Sequence, residues 1–173
     1  MNSRDVVAAA LEVWRAQDVE STFAYVAEDV VYALHFDEEL APFAGVAHGR
    51  EAMKAAFYEL IKAFDYLEYE PVIMDVQGEI VRVQTSHRYL HRRTGEEIEG
   101  TFRTIFTVRD GLIVRCEEYV DRGKVEAFMR LTRQREADND IVQPPEIPKR
   151  IAKTGAGRPL EVSSKMPDEE DCE

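Results

Sequence analysis

Residues 79–91, EIVRVQTSHRYLH, and residues 112–120, LIVRCEEYV, alternate side chains with a period of two. Alternate residues of a strand share a face, so both stretches predict half-buried β-strands. On the first, Val81, Val83, Thr85, His87 and Tyr89 form one face, with Arg82, Gln84, Ser86 and Arg88 between them. On the second, Leu112, Val114, Cys116, Glu118 and Val120 share a face, with Ile113, Arg115, Glu117 and Tyr119 on the other. One imidazole and one carboxylate, His87 and Glu118, therefore point the way the core does. An ionisable group on an apolar face is costly unless it is paired or does chemistry. These two residues are the leading functional candidates.

The same period runs through two neighbouring stretches, about Glu68 to Val76 and Glu97 to Arg109. Gln77-Gly78, Thr94-Gly95 and Asp110-Gly111 mark the turns between the four strands, which predicts an antiparallel meander. Upstream, the spacing is helical. Ser3 is placed to cap a helix with Val7, Ala10, Leu11 and Trp14 in one stripe, and Asp18 to cap a shorter one carrying Phe23 and Val26. A strand from Val30 to Phe36 follows, then an irregular segment with Pro42, Gly45 and Gly49. A third helix, about Arg50 to Phe64, carries Met53, Phe57, Leu60, Ile61 and Phe64 at helical spacing. After the meander, Asp121 starts a last helix with Val125, Phe128 and Met129 on one side. Periodicity stops near Asp138, and five prolines and an acidic end mark residues 138–173 as an extended, flexible tail behind a domain of residues 1–137. Helices followed by a meander predict an α+β fold, with helices packed on one face of a curved sheet and a ligand site between them.

Composition narrows the function classes. The apolar fraction of 45% is that of an ordinary globular chain. A net charge of −12 argues against nucleic acid or an anionic membrane surface as partner. The reading is of a cytoplasmic protein, with no membrane span, no signal-peptide pattern and, in Cys116 and Cys172, no disulfide framework. No metal site is expected: His87 and His91 share a face, but four residues along a strand span about 13 Å. There is no nucleophile elbow and no nucleotide loop, so no cofactor is expected.

The order of elements, with Asp29-Val30-Val31-Tyr32, Gly49-Arg50-Glu51-Ala52, Asp110-Gly111-Leu112-Ile113 and Glu118-Tyr119-Val120-Asp121, resembles the SnoaL-like group of the nuclear transport factor 2-like superfamily. Ketosteroid isomerase, limonene epoxide hydrolase and polyketide cyclases are relatives. The resemblance covers about residues 3–132. It implies a cone-shaped, cystatin-like α+β barrel with a deep apolar pocket, in a homodimer. Set against the epoxide hydrolases, their Arg-x-Asp falls on Thr85-Ser86-His87, their second aspartate on Glu118, their pocket tyrosine on Tyr32 and their water-holding asparagine on Leu34. The arginine and asparagine are missing and one aspartate is histidine, which points away from epoxide hydrolysis and toward the cyclases and lyases.

Taking Arg109-Asp110-Gly111 as a three-residue loop sets Phe102 opposite Glu118, with His87 one strand further. The two groups then stand roughly 10 Å apart, which suits two residues reaching one small ligand. The catalytic candidates are Glu118, His87 and Tyr32; the candidates for contact with substrate are Trp14, Leu34, Thr85, Tyr89, Phe102 and Cys116. Plainer roles stand beside these: an ion pair of Glu118 with Arg103, a structural histidine at His87, a helix cap at Asp121. His35 is undecided between faces, and His48 falls in a loop. Three functional readings follow: a cofactor-independent isomerase, cyclase, lyase or hydrolase acting on an apolar cyclic molecule; a cup that binds such a molecule without changing it; or a dimeric interaction domain.

Overall fold

Asn2, not Ser3, caps the first helix: its Oδ1 accepts the Asp5 N–H at 3.0 Å. A cap needs non-helical backbone, and Asn2 is extended whereas Ser3 is already in the first turn. Helix α1 (Ser3–Arg15) buries the expected stripe of Val7, Ala10, Leu11 and Trp14, together with Val6. Asp18 caps α2 (Val19–Thr22) through the Ser21 N–H. A single 3₁₀ turn, Phe23–Tyr25, then leads into strand β1 (Val26–Leu34), so Val26 opens a strand instead of continuing a helix. The computed structural model describes residues 1–142; the proposed tail beyond that point lies outside the described residues.

The segment expected to be irregular contains a short strand, β2 (Gly45–His48), antiparallel to β1. Helix α3 (Arg50–Ala63) buries Met53, Ala56, Phe57 and Leu60. The meander follows as β3 (Phe64–Gln77), β4 (Ile80–His91), β5 (Glu97–Arg109) and β6 (Leu112–Tyr119). Asp121 accepts the Lys124 N–H at 3.1 Å and caps α4 (Arg122–Val142), which runs past Asp138, where periodicity in the sequence stops. Among the described residues no helix is long and apolar enough to cross a membrane.

The six strands lie in the order β2-β1-β6-β5-β4-β3 in one curled, unclosed sheet. All neighbours are antiparallel except β1 and β6, which run parallel, so the sheet is mixed. The helices pack against the concave face. Phe57 of α3 lies at the centre of the packing, 4.5 Å from Trp14, 5.5 Å from Phe23 and 5.3 Å from Tyr32 between ring centroids. This is the α+β fold expected from the order of elements, in the cone form that the resemblance implies.

The β5–β6 connection differs from the expected three-residue loop. Arg109 pairs with Leu112 across a two-residue turn, Asp110-Gly111, with both residues at positive φ (+51° and +76°). That is the backbone of a tight hairpin whose twist matches its strands. On its own, the shorter turn would put Glu118 on the outer face. A bulge restores the inward face: Val108 opposes Ile113 while Thr107 opposes Arg115, leaving Val114 unpaired. Ile113 is therefore the buried residue at the start of β6, not Leu112 or Val114, and from Cys116 onward the expected face returns.

Candidate functional site

Between the helices and the concave sheet lies a cavity of about 80 Å³. Its wall is aromatic and aliphatic. Trp14 of α1, Phe57 and Leu60 of α3, and Phe128 and Met129 of α4 come from the helices. Tyr66, Tyr69, Tyr89, Ile98 and Phe102 come from the sheet. The ionisable groups other than the tyrosines on this wall are Glu118 and His87.

Glu118 faces inward because of the β6 bulge. Its cross-strand partner is Thr104, and Leu34 lies beside it on β1. Arg103, the alternative ion partner, pairs with Tyr119 and is exposed on the other face. Among the described residues no Lys, Arg or His approaches the Glu118 carboxylate to ion-pair distance. Burial without a counter-charge disfavours the ionised form and pushes the Glu118 pKa up to about 7. Tyr32 opposes this by turning its hydroxyl toward the carboxylate, short of hydrogen-bonding geometry, so the buried Tyr32 Oη has no partner.

His87 lies on β4 opposite Gly100, not Phe102. The imidazole lies close against the β5 backbone: a Cβ at Gly100 would stand in ordinary van der Waals contact with His87 Cε1, at 3.6 Å. Burial and the Lys124 ammonium push the His87 pKa down to about 4, while a backbone contact with Gly100 works the other way. His87 is thus neutral at physiological pH, and its Nδ1 has no hydrogen-bond partner. The ring is 4.6 Å from Tyr89 and 5.4 Å from Phe102. Glu118 and His87 line one cavity but do not share a row across the sheet: Thr104 and Gly100, their partners on β5, are four residues apart.

Among the candidates for substrate contact, Trp14, Leu34, Tyr89 and Phe102 line the cavity. Thr85 and Cys116 do not, and neither does the catalytic candidate Tyr32; all three are buried to 2% exposure or less behind the wall. Tyr32 and Cys116 are paired across β1 and β6, and Thr85 lies between His87 and Val83 on β4, so all three occupy the layer where strands meet the core. The sequence reading missed Tyr66 and Tyr69. A bulge between Tyr66 and Glu68 brings these two, three residues apart, onto one face, where simple alternation separates them. Tyr66 stacks on Tyr89 at 4.1 Å and on Tyr69 at 5.7 Å. Burial, and the charge of Glu118 with it, holds the Tyr32, Tyr66, Tyr69 and Tyr89 phenols well above their usual pKa.

His35 is on the outer face, stacked on Tyr119 at 4.6 Å and 3.8 Å from Glu117. Among the described residues no group of three His, Cys, Asp or Glu side chains is arranged to hold a metal ion.

The family model for the SnoaL-like domain matches residues 7–116. The chain belongs to the SnoaL-like family. His87 lies within the matched stretch and Glu118 two residues beyond it. A comparison with curated proteins finds no match. Among solved structures, a nuclear transport factor 2-like protein of unknown function from Burkholderia pseudomallei superposes with a TM-score of 0.68 at 18% identity, covering 75% of this chain and 98% of that one. A candidate polyketide cyclase from Silicibacter gives 0.63 at 17% identity, with 73% and 93% covered. TerC, co-crystallised with polyporic acid, gives 0.60 at 20% identity, with 76% and 98% covered. At these identities the likeness is one of fold. This SnoaL-like domain has the cone and the apolar cavity that the resemblance implies.

Proposed function

We propose that this SnoaL-like protein is a cofactor-independent acid/base enzyme that moves a proton between two atoms of one apolar, cyclic small molecule held in the cavity. The observation that carries this reading is Glu118: a lone carboxyl with a pKa near 7, in a wall otherwise made of aromatic and aliphatic groups. A general acid/base works best when its pKa is close to the operating pH, because both protonation states are then populated. Glu118 takes a proton from a C–H or O–H of the bound molecule and returns it at another atom, ending as it began. Neutral His87 holds or relays that proton from a second direction. Tyr32 acts on Glu118 instead of on the substrate, as a positioning residue whose hydroxyl limits the rise in the carboxyl pKa. Isomerisation, cyclisation and dehydration fit this step, and the candidate polyketide cyclase among the similar folds is in keeping with it.

The test is a thermal-shift screen of steroids, polyketide-like phenols and terpenoids on wild type and Glu118→Gln, followed by turnover assays on each hit. The reading expects a hit that wild type converts and Glu118→Gln binds but does not convert. A ligand at a hundred times its Kd stabilises by about 2.7 kcal/mol, which such a screen detects. Binding with no turnover in either protein would make the cup a carrier, and no binding from any class would remove the small-molecule reading.

A further inference from the structure

The cavity is smaller than the roughly 300–1,000 Å³ of ordinary ligand pockets. Phe43 and Met129 line both this cavity and a second, outer cleft of about 320 Å³. These two side chains, one of them a flexible methionine, are thus shared by the two spaces, and beside them His91 of the cleft packs on Phe64 and Phe128 of the cavity wall. Phe43 comes from the loop ahead of β2. Met129, Thr132, Arg133 and Glu136, at helical spacing, form the face of α4 turned to the cleft.

The two spaces differ in chemistry. Lys62, Arg93 and Arg133 contribute cations to the outer cleft, and Glu59 and Glu136 contribute carboxylates. Lys62 is 3.8 Å from Glu59, and Arg93 is 3.6 Å from Glu136. Arg133 has no carboxylate partner among the described residues; its Nη2 donates to the Glu39 carbonyl oxygen at 2.6 Å. His91, also on this wall, is held low in pKa by burial and is neutral. Among the described residues, a chain with a net charge of −12 thus has one guanidinium without a carboxylate partner in the cleft that borders its apolar cavity. A guanidinium that spends only one donor pair on a carbonyl retains others for a carboxylate.

We infer that cavity and cleft are two halves of one binding site, and that its ligand is an amphipathic acid: an apolar ring inside and a carboxylate in the outer cleft on Arg133, the chain between them passing Phe43 and Met129. This rests on the reading that the cavity takes an apolar small molecule.

Matched probes separate the two ideas. The affinities of 4-phenylbutanoate, 6-phenylhexanoate and 8-phenyloctanoate are measured by calorimetry beside their primary amides, on the full chain and on Arg133→Gln and Lys62→Gln. The inference expects the carboxylate to bind about tenfold tighter than its amide once the chain is long enough, as for a hydrogen bond to a charged group. That preference disappears in Arg133→Gln and survives in Lys62→Gln. Phe43→Ala, which removes one of the side chains shared by the two spaces, strengthens binding of the longer acids relative to the shortest. Amides and acids that bind equally at every length would overturn the two-chamber site while leaving the cavity reading intact. A carboxylate preference unchanged in Arg133→Gln would overturn it as well. Failure of every probe, amides included, would remove both.

Discussion

Glu117 and Glu118 are neighbours in the chain and opposites in circumstance. Glu117 faces out, takes a hydrogen bond from Arg115 at 2.9 Å, and has its pKa lowered first by that bond. Glu118 faces in, meets no cation among the described residues, and is raised to about 7 by burial. Each has a histidine in its surroundings: His35, stacked on Tyr119 outside, and His87, packed between Tyr89 and Phe102 inside. One step along a strand separates a solvated ion pair from a carboxyl fit for proton transfer. Residue type does not distinguish the two; the face does, and the face is set by one bulged residue, Val114.

The comparison breaks most visibly in turnover. Glu118→Gln is expected to lower kcat on a converted ligand by about 10²–10⁴-fold, as for loss of a general acid/base, and Glu117→Gln by less than twofold. Next in size is the packing that holds the inner face. Phe57→Ala, which opens space beside Trp14, Phe23 and Tyr32, should cost about 3–5 kcal/mol in denaturant unfolding.

Stability against pH sharpens the comparison, because the two glutamates carry opposite signs. Glu118 has a raised pKa, so its contribution is fully present below about 4.5 and is lost as pH rises through about 7. Glu118→Gln should therefore be more stable than wild type above pH 7, by up to about 3 kcal/mol, and the gap should close toward pH 4.5. Glu117 has a lowered pKa, so its contribution is present at neutral pH and fades as pH falls. Glu117→Gln should be less stable than wild type at pH 7, by no more than about 1 kcal/mol for a pair open to solvent. His87 gives a separate window. Its pKa is lowered from 6.5 to about 4, so stability is lost as pH falls from 6.5 toward 4, and His87→Gln should flatten that limb of the thermal-stability profile.

The architecture was legible because it rests on periodicity. The limits of β5, the burial of the α1 stripe and the inward face of His87 all follow from periods of two and 3.6. What escaped was set by contacts distant in sequence. The four residues of β2 are too few for alternation to register, and they become a strand only by pairing with β1. Parallel pairing of β1 with β6 joins segments some eighty residues apart, which no local pattern reports. The loop between β5 and β6 was misread for a physical reason: a two-residue turn and a bulge each reverse the face, and together they restore it, so the pattern alone could not separate both changes from neither. The same kind of irregularity hid Tyr66 and Tyr69. Tyr32, placed with the catalytic candidates by resemblance, is buried behind the wall beside Glu118, since a side chain at the β1–β6 seam meets the core before it meets the cavity.

The central claim is that Glu118 shares its proton near neutral pH because its carboxyl lies in an apolar wall and has no counter-charge among the described residues. The direct measurement is a carboxyl-carbon NMR titration of glutamate-labelled protein, with the Glu118 resonance assigned by its disappearance in Glu118→Gln. The account predicts a midpoint near 7 for Glu118 and one below the ordinary glutamate value for Glu117. A Glu118 midpoint at or below about 4.5 would contradict it, since the carboxyl would then be an ordinary anion with no reason to act as an acid.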